Sequence, residues 1–169
     1  CALHQGRTQT VFGVGNQDAD LMIIGEAPGG EEDRQGEPFV GRAGQLLDRL
    51  LLSVGFPRSE VFICNVLKCR PPNNRDPQPQ EIEACAPFLQ AQIRLVQPKV
   101  ILSVGRISAQ NLLHDSHPLG QLRNTVHQLP QSDIPLLVTY HPAYLLRDPR
   151  KLPLAREHLR TLREMREEA

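Results

Sequence analysis

Apolar positions along this chain follow two patterns: short unbroken runs, and longer stretches spaced at three and four. The unbroken runs are Leu21-Met22-Ile23-Ile24, Val61-Phe62-Ile63-Cys64-Asn65-Val66, Val100-Ile101-Leu102-Ser103-Val104 and Pro135-Leu136-Leu137-Val138-Thr139-Tyr140. A run that is apolar at nearly every residue predicts a strand covered on both faces. Ala43, Leu46, Leu47, Leu50, Leu51 and Val54 share one helical face, and Gly55 marks its stop. Ile82, Cys85, Phe88, Leu89, Ile93 and Val96 share another. A short helix is predicted from about Ile107 to Leu113, and helical spacing returns from Leu154 to Met165. Two segments break the pattern. Glu26 to Gly41 reads as a long loop rich in glycine and proline, and Pro71 to Pro77 cannot be regular structure.

Strands that alternate with helices predict one α/β domain over residues 1–169. The expected architecture is a three-layer αβα sandwich around a mainly parallel four-stranded sheet with right-handed crossovers. Ligands bind such sheets beyond the carboxyl ends of the strands. Glu26, Asn65 and His141 stand at three of those ends, so their placement predicts a common crevice.

Composition narrows the reading. Of 169 residues, 40% are hydrophobic and 22% charged, which fits a globular fold and excludes disorder. No apolar run reaches the roughly 18 residues of a membrane span. Nineteen basic residues balance nineteen acidic ones, so bulk charge does not mark a nucleic-acid binder and any such contact needs a local basic patch. With no secretory signal, the four cysteines Cys1, Cys64, Cys69 and Cys85 are expected to be free thiols or metal ligands in a reducing cytoplasm. The chain starts at Cys1 rather than at methionine, so a motif running off that end is expected to look incomplete.

Gly25-Glu26-Ala27-Pro28-Gly29-Gly30 is neither a dinucleotide fingerprint nor a P-loop, and Pro28 lacks a backbone donor that a phosphate cradle would use. Together with Glu32-Asp33, with Gly36-Glu37-Pro38-Phe39-Val40-Gly41-Arg42-Ala43-Gly44, with Asn65-Val66-Leu67-Lys68-Cys69-Arg70-Pro71-Pro72, with Asn74-Arg75-Asp76-Pro77 and with His141-Pro142-Ala143-Tyr144-Leu145-Leu146-Arg147, it resembles the iron–sulfur (family 4) uracil-DNA glycosylases. The resemblance covers nearly the whole chain in order. It implies a monofunctional enzyme of base excision repair. Such an enzyme hydrolyses the N-glycosidic bond of deoxyuridine in DNA and leaves an abasic site. A catalytically inactive DNA-binding module with the same fold is the rival reading.

The resemblance assigns roles to residues whose types suit them. Gly25, Ala27, Glu32, Phe39, Asn65 and His141 would contact uracil. Phe39 would stack on the flipped base, although without the resemblance a buried loop anchor is the favoured reading. Asn65 offers one donor and one acceptor, which match the O4 and N3–H edge of uracil; a turn asparagine is the plain alternative. Glu32 would stand where the 5-methyl of thymine clashes. His141 would donate to uracil O2 as negative charge develops on the leaving base. Glu26 would position the attacking water; other branches of the family carry an aspartate one residue later, at the position held here by Ala27. Arg70, Arg75, Arg147 and their neighbours Lys68, Arg150 and Lys151 would form a phosphate-contacting rim, with Leu145 or Leu146 as the wedge that opens the duplex. Cys1, Cys69 and Cys85 would ligate a structural 4Fe–4S cluster, with the fourth ligand a cysteine before residue 1. A three-thiolate zinc site is the alternative at the metal level. Cys64 fits no ligand position and is expected to be buried and inert. Arg123-Asn124 departs from the family, where glycine usually follows the arginine. The expected partner is uracil-containing DNA, met by a monomer in the prokaryotic cytoplasm at the nucleoid.

Overall fold

A computed structural model describes residues 1–123 and 125–168. The Asn124 turn therefore lies outside the described residues. The four unbroken apolar runs are the four central strands: β2 Leu21–Gly25, β3 Phe62–Asn65, β4 Val100–Val104 and β6 Pro135–Thr139. They pair in parallel in the order β3-β2-β4-β6.

The expected four-stranded sheet gains two short edges. β1 (Val14–Gly15) pairs antiparallel with β3, and β5 (His127–Gln128) pairs antiparallel with β6, which makes six strands. Two-residue strands carry no periodic signal, so nothing in the apolar pattern announces them. Short antiparallel edges also leave little unpaired backbone for another chain to pair with.

The central strands sort their side chains alternately, as the pleat requires. Leu21 and Ile23 of β2, Leu102 of β4 and Leu137 of β6 face one core. Met22 and Ile24, Ile101, and Leu136 and Val138 face the other. Helices α2 (Arg42–Leu52), α6 (Pro142–Arg147) and α7 (Leu152–Glu168) cover the first face. Helices α3 (Pro79–Val96), α4 (Arg106–Leu113) and α5 (Leu119–Leu122) cover the second. This is the three-layer αβα arrangement. On α3, Phe88 leaves the predicted core face: it is 53% exposed and meets Phe12 edge to face at 6.4 Å.

One helix was hidden in the expected loop. Residues Gly30–Gln35 form α1. They are almost all polar, so no apolar stripe marks them. The Glu32 carboxylate reaches back to the Gly29 N–H at 3.2 Å, and Gly36 ends the helix with φ 82.

Strand order also places the ligand crevice. The chain steps from β2 out to β3, then returns past β2 to β4. The direction reverses between β2 and β4, and the crevice of such a sheet opens beyond the carboxyl ends at that point.

Candidate functional site

Two strand ends are stripped to glycine where the sheet meets the crevice. A Cβ on Gly25 would lie 2.5 Å from Asn65 Oδ1 and 2.6 Å from Phe39 Cζ. A Cβ on Gly105, whose φ is 94, would lie 3.1 Å from His141 Cβ. These bare positions let Asn65, Phe39 and His141 close over the ends of β2 and β4. The Phe39 and His141 rings stand 5.7 Å apart at 32°. Three of the residues singled out in the sequence thus share one small volume, reached from three different parts of the chain.

The exits of β2 and β3 are laced together. Val66 N–H donates to Gly25 O at 2.9 Å, and Leu67 N–H donates to Glu26 O at 3.0 Å. Glu26 and Asn65 are therefore held side by side by main-chain bonds. Glu26 is half-buried. Its carboxyl is raised above the ordinary carboxylate value by burial and by the Asp76 carboxylate, against a smaller pull from Arg106. Arg106 reaches Asp76 at 3.7 Å and links the proline-rich loop to the start of α4.

His141 has a defined tautomer. It caps α6, and its Nδ1 accepts the Ala143 N–H at 3.0 Å. In the neutral ring the proton then sits on Nε2, which is left as a donor. The ring stays neutral because burial, with the Arg147 charge, lowers its pKa to about 4; Glu32 opposes this only in part. Pro142 at the first helical position supplies the φ that turns the chain directly from strand into helix.

Phe39 is buried, and its backbone has φ 52. A bulky residue in the left-handed region costs on the order of 1–3 kcal/mol, so the surroundings must hold it there. Glu32 does so from one side: its Oε2 accepts the N–H groups of Val40 and Gly41, each at 3.0 Å. Gly44 makes room on α2, where a Cβ would fall 1.8 Å from Phe39 O. Glu32 thus has a task that its type did not reveal. Both of its oxygens face loop amides.

The basic residues divide. Arg75 forms a two-pronged pair with Glu81, at 2.8 and 2.7 Å, so its guanidinium fastens the proline-rich loop to α3. Arg70 donates to Asn74 Oδ1 at 2.8 Å and lies beside Gly30 of α1. Arg147 and Arg150 are exposed, and Arg150 forms a two-pronged pair with Asp148, at 2.8 and 3.2 Å. Lys68 is not on the rim. It is 4% exposed and donates to Asn65 O at 2.8 Å and to Gln92 Oε1 at 2.6 Å, with the Phe12 ring beneath it. The wedge alternatives also separate: Leu145 is 2% exposed and packs in the core, whereas its neighbour Leu146 is 38% exposed.

Cys1, Cys69 and Cys85 border one cavity of about 210 Å³. The short 3-10 turn Ala2–Gln5 docks there through buried Leu3, against Leu67, Cys69 and Cys85. Arg7 donates to Cys69 Sγ at 3.0 Å. Lys68 borders the same cavity, and its hydrogen-bond partners are neutral. Among the described residues, no three His, Cys, Asp or Glu side chains are gathered tightly enough to hold a metal ion. The donor set nevertheless fits an anionic, thiolate-held group, because two cations border a cavity lined by thiols. Cys64 lies apart in the core, and burial pushes its thiol up to about 11. It is buried, as expected.

A groove of about 940 Å³ opens elsewhere, between α3, α4 and the turn around Pro130 to Asp133. It sits at the amino ends of β4 and β6, the opposite end of the sheet from Asn65 and His141.

The profile of the Uracil DNA glycosylase superfamily matches residues 12–165. The chain belongs to this superfamily. It is 46% identical over 151 residues to a type-4 uracil-DNA glycosylase of Thermotoga maritima, covering 88% of this chain and 77% of that protein. It is 43% identical over 155 residues to a type-4 uracil-DNA glycosylase of Archaeoglobus fulgidus, covering 88% and 78%. A type-5 uracil-DNA glycosylase of Thermus thermophilus is more distant, at 31% identity over 152 residues, covering 78% and 68%. The strand-end glycines account for the close approach of Asn65, Phe39 and His141.

Proposed function

We propose that the protein excises uracil from DNA by hydrolysing the bond between C1′ of deoxyribose and N1 of the base. The observation that carries this reading is the convergence of Asn65, Phe39 and the Nε2–H of His141 over Gly25 and Gly105. A flipped base entering at the strand ends would stack on Phe39. Its O4 and N3–H edge would meet the Asn65 amide. Cytosine presents the reverse pattern there and would leave buried polar groups unpaired.

As the C1′–N1 bond breaks, its electron pair moves onto the base and is shared with O2. The Nε2–H donor of His141 stabilises that charge, and a neutral imidazole suits the task because it retains its proton. Glu26 orients a water toward C1′ and takes up its proton as the new C1′–O bond forms, while the carboxylate charge stabilises the cationic sugar. Arg147 and Arg150 contact backbone phosphates, and Leu146 fills the space that the base vacates. The inactive rival is disfavoured because Glu26, Phe39, Asn65 and His141 are all present and brought to one end of the sheet.

Cys1, Cys69 and Cys85 would hold a 4Fe–4S cluster. When bound, it supplies a cross-link between the N-terminal turn, the exit of β3 and α3. The protein acts as a monomer on chromosomal DNA in a prokaryotic cytoplasm; the prokaryotic sources of its relatives support the prokaryotic setting alone.

The test is incubation with an oligonucleotide carrying a single deoxyuridine, followed by alkali. Strand scission at the uracil position is expected, with none at thymine or cytosine. An intact strand after prolonged incubation with folded protein overturns the proposal.

A further inference from the structure

We infer that Arg58, which lies outside every motif carrying the family resemblance, is the positioning residue that sets the ring of Phe39 in the base site. Arg58 opens the short 3-10 turn Arg58–Glu60, just ahead of β3. Its guanidinium spans two successive carbonyls of the Phe39 turn: NH2 donates to Pro38 O at 2.7 Å, and NH1 donates to Phe39 O at 3.1 Å. NH1 also donates to Asp48 Oδ1 on α2 at 3.0 Å, which anchors the fork.

The turn so held is the one in which Phe39 has φ 52. Glu32 binds the two amides that follow Phe39, and Arg58 binds its own carbonyl and the one before. The strained residue is thereby clamped on both sides by side chains of opposite charge, from α1 and from the approach to β3. A planar guanidinium matches two neighbouring carbonyls as a single ammonium cannot. Without the fork, the backbone is free to leave the left-handed region. The ring would then move away from Gly25, Asn65 and His141, which it now adjoins. Arg58 touches neither Asn65 nor His141 in any hydrogen bond and acts through Phe39.

This inference rests on the stacking role of Phe39, so the experiment separates the two. Single-turnover excision from a uracil oligonucleotide is measured for the wild-type protein, Arg58→Ala, Phe39→Ala and the double variant, together with inhibition by free uracil and thermal midpoints. Arg58→Ala is expected to slow excision by roughly 10- to 100-fold, as a displacement of about 1 Å in a positioned group does, and to weaken inhibition by free uracil. In the Phe39→Ala background the same change should cost almost nothing. Losses that multiply in the double variant, or an unchanged rate in Arg58→Ala beside a slow Phe39→Ala, overturn the inference. A wild-type rate in Phe39→Ala overturns the stacking role itself, and the inference with it. If Arg58→Ala does not fold, Arg58→Lys decides. It keeps the charge beside Asp48 but cannot span both carbonyls, so it should slow excision at an unchanged thermal midpoint; a wild-type rate overturns the inference.

Discussion

Two regions meet on the exit of β3, and they are built differently. Asn65 ends the strand at the proposed base site, while Cys69, four residues on, borders the cysteine cavity. The base site is closed by the chain's own bonds. The exits of β2 and β3 are laced by main-chain hydrogen bonds, the Phe39 turn is clamped, and the proton on His141 is placed by the cap of α6. In the cysteine cavity, thiols and cations border a space, but the donors are not gathered around a centre. The fold alone preorganises the first region. The second is bordered by Cys1, Cys69 and Cys85 with Arg7 and Lys68, the donors and cations that the proposed cluster would use. Lys68 joins them, because its ammonium lies at the cavity and donates to the carbonyl of Asn65.

If this contrast is right, changes in the base site should remove catalysis and leave metal content alone. The largest effect is expected from Asn65→Asp, which sets an acceptor against the uracil acceptor. Excision should fall on the order of 10³-fold, the scale of an unmatched buried polar contact. Iron content and thermal midpoint should stay near those of the wild-type protein. Wild-type-like excision would remove Asn65 from the site.

Gly25→Ala comes next. Its Cβ would crowd both Asn65 Oδ1 and Phe39 Cζ, so a displacement of about 1 Å should lower the rate roughly 10²-fold. An unchanged rate at an unchanged thermal midpoint would show that the site absorbs the crowding. Loss of the fold instead of the rate would show that Gly25 serves the sheet.

The pH profile sharpens the same comparison. Burial and Asp76 raise the Glu26 carboxyl, so the active carboxylate should be lost as pH falls to a value above that of an ordinary glutamate. His141 titrates only near 4, so it should not shape the profile around its usual 6.5. Its lowered pKa also acts on stability. The unfolded chain binds the proton first, so the His141 contribution is fully present above about 6.5 and is lost as pH falls toward 4. An acid limb that persists unchanged in Glu26→Gln would deny Glu26 this role.

The smallest effect on the reaction is expected from Cys85→Ser. Iron content and thermal midpoint should fall clearly, while the excision rate of the remaining folded protein should drop only a few-fold, through the link from Lys68 to Asn65. Full iron content in this variant would contradict the cavity as the cluster site.

Much of this was legible in the residues, for physical reasons. The four central strands are covered on both faces, so their apolar runs are unbroken and stand out. Glu26, Asn65 and His141 could be placed at strand ends because each stands at or just past the end of such a run. What stayed hidden depends on contacts between distant segments. The charge of Lys68 argues for a surface, but Gln92, the Asn65 carbonyl and the Phe12 ring give it buried partners. Leu145 and Leu146 look alike until α6 packs one of them into the core. Arg58 carries no local signal at all, since its meaning lies in two carbonyls nineteen and twenty residues earlier. Only α1 left a trace that could have been read: a glutamate three residues after Gly29 and a glycine at its end.

The central claim is that the base site acts on the transition state through His141. The direct test measures single-turnover excision, affinity for a uracil-containing duplex and thermal midpoint on one variant, His141→Ala, with His141→Asn as a control that preserves the cap of α6. The account predicts a rate lower by roughly 10²-fold or more, as for oxyanion-type donors. Duplex affinity should change far less, because phosphate contacts supply most of it. A cap worth about 1 kcal/mol accounts for any small loss of stability in the alanine variant alone. An unchanged rate, or a loss that follows the unfolded fraction in both variants, would contradict it.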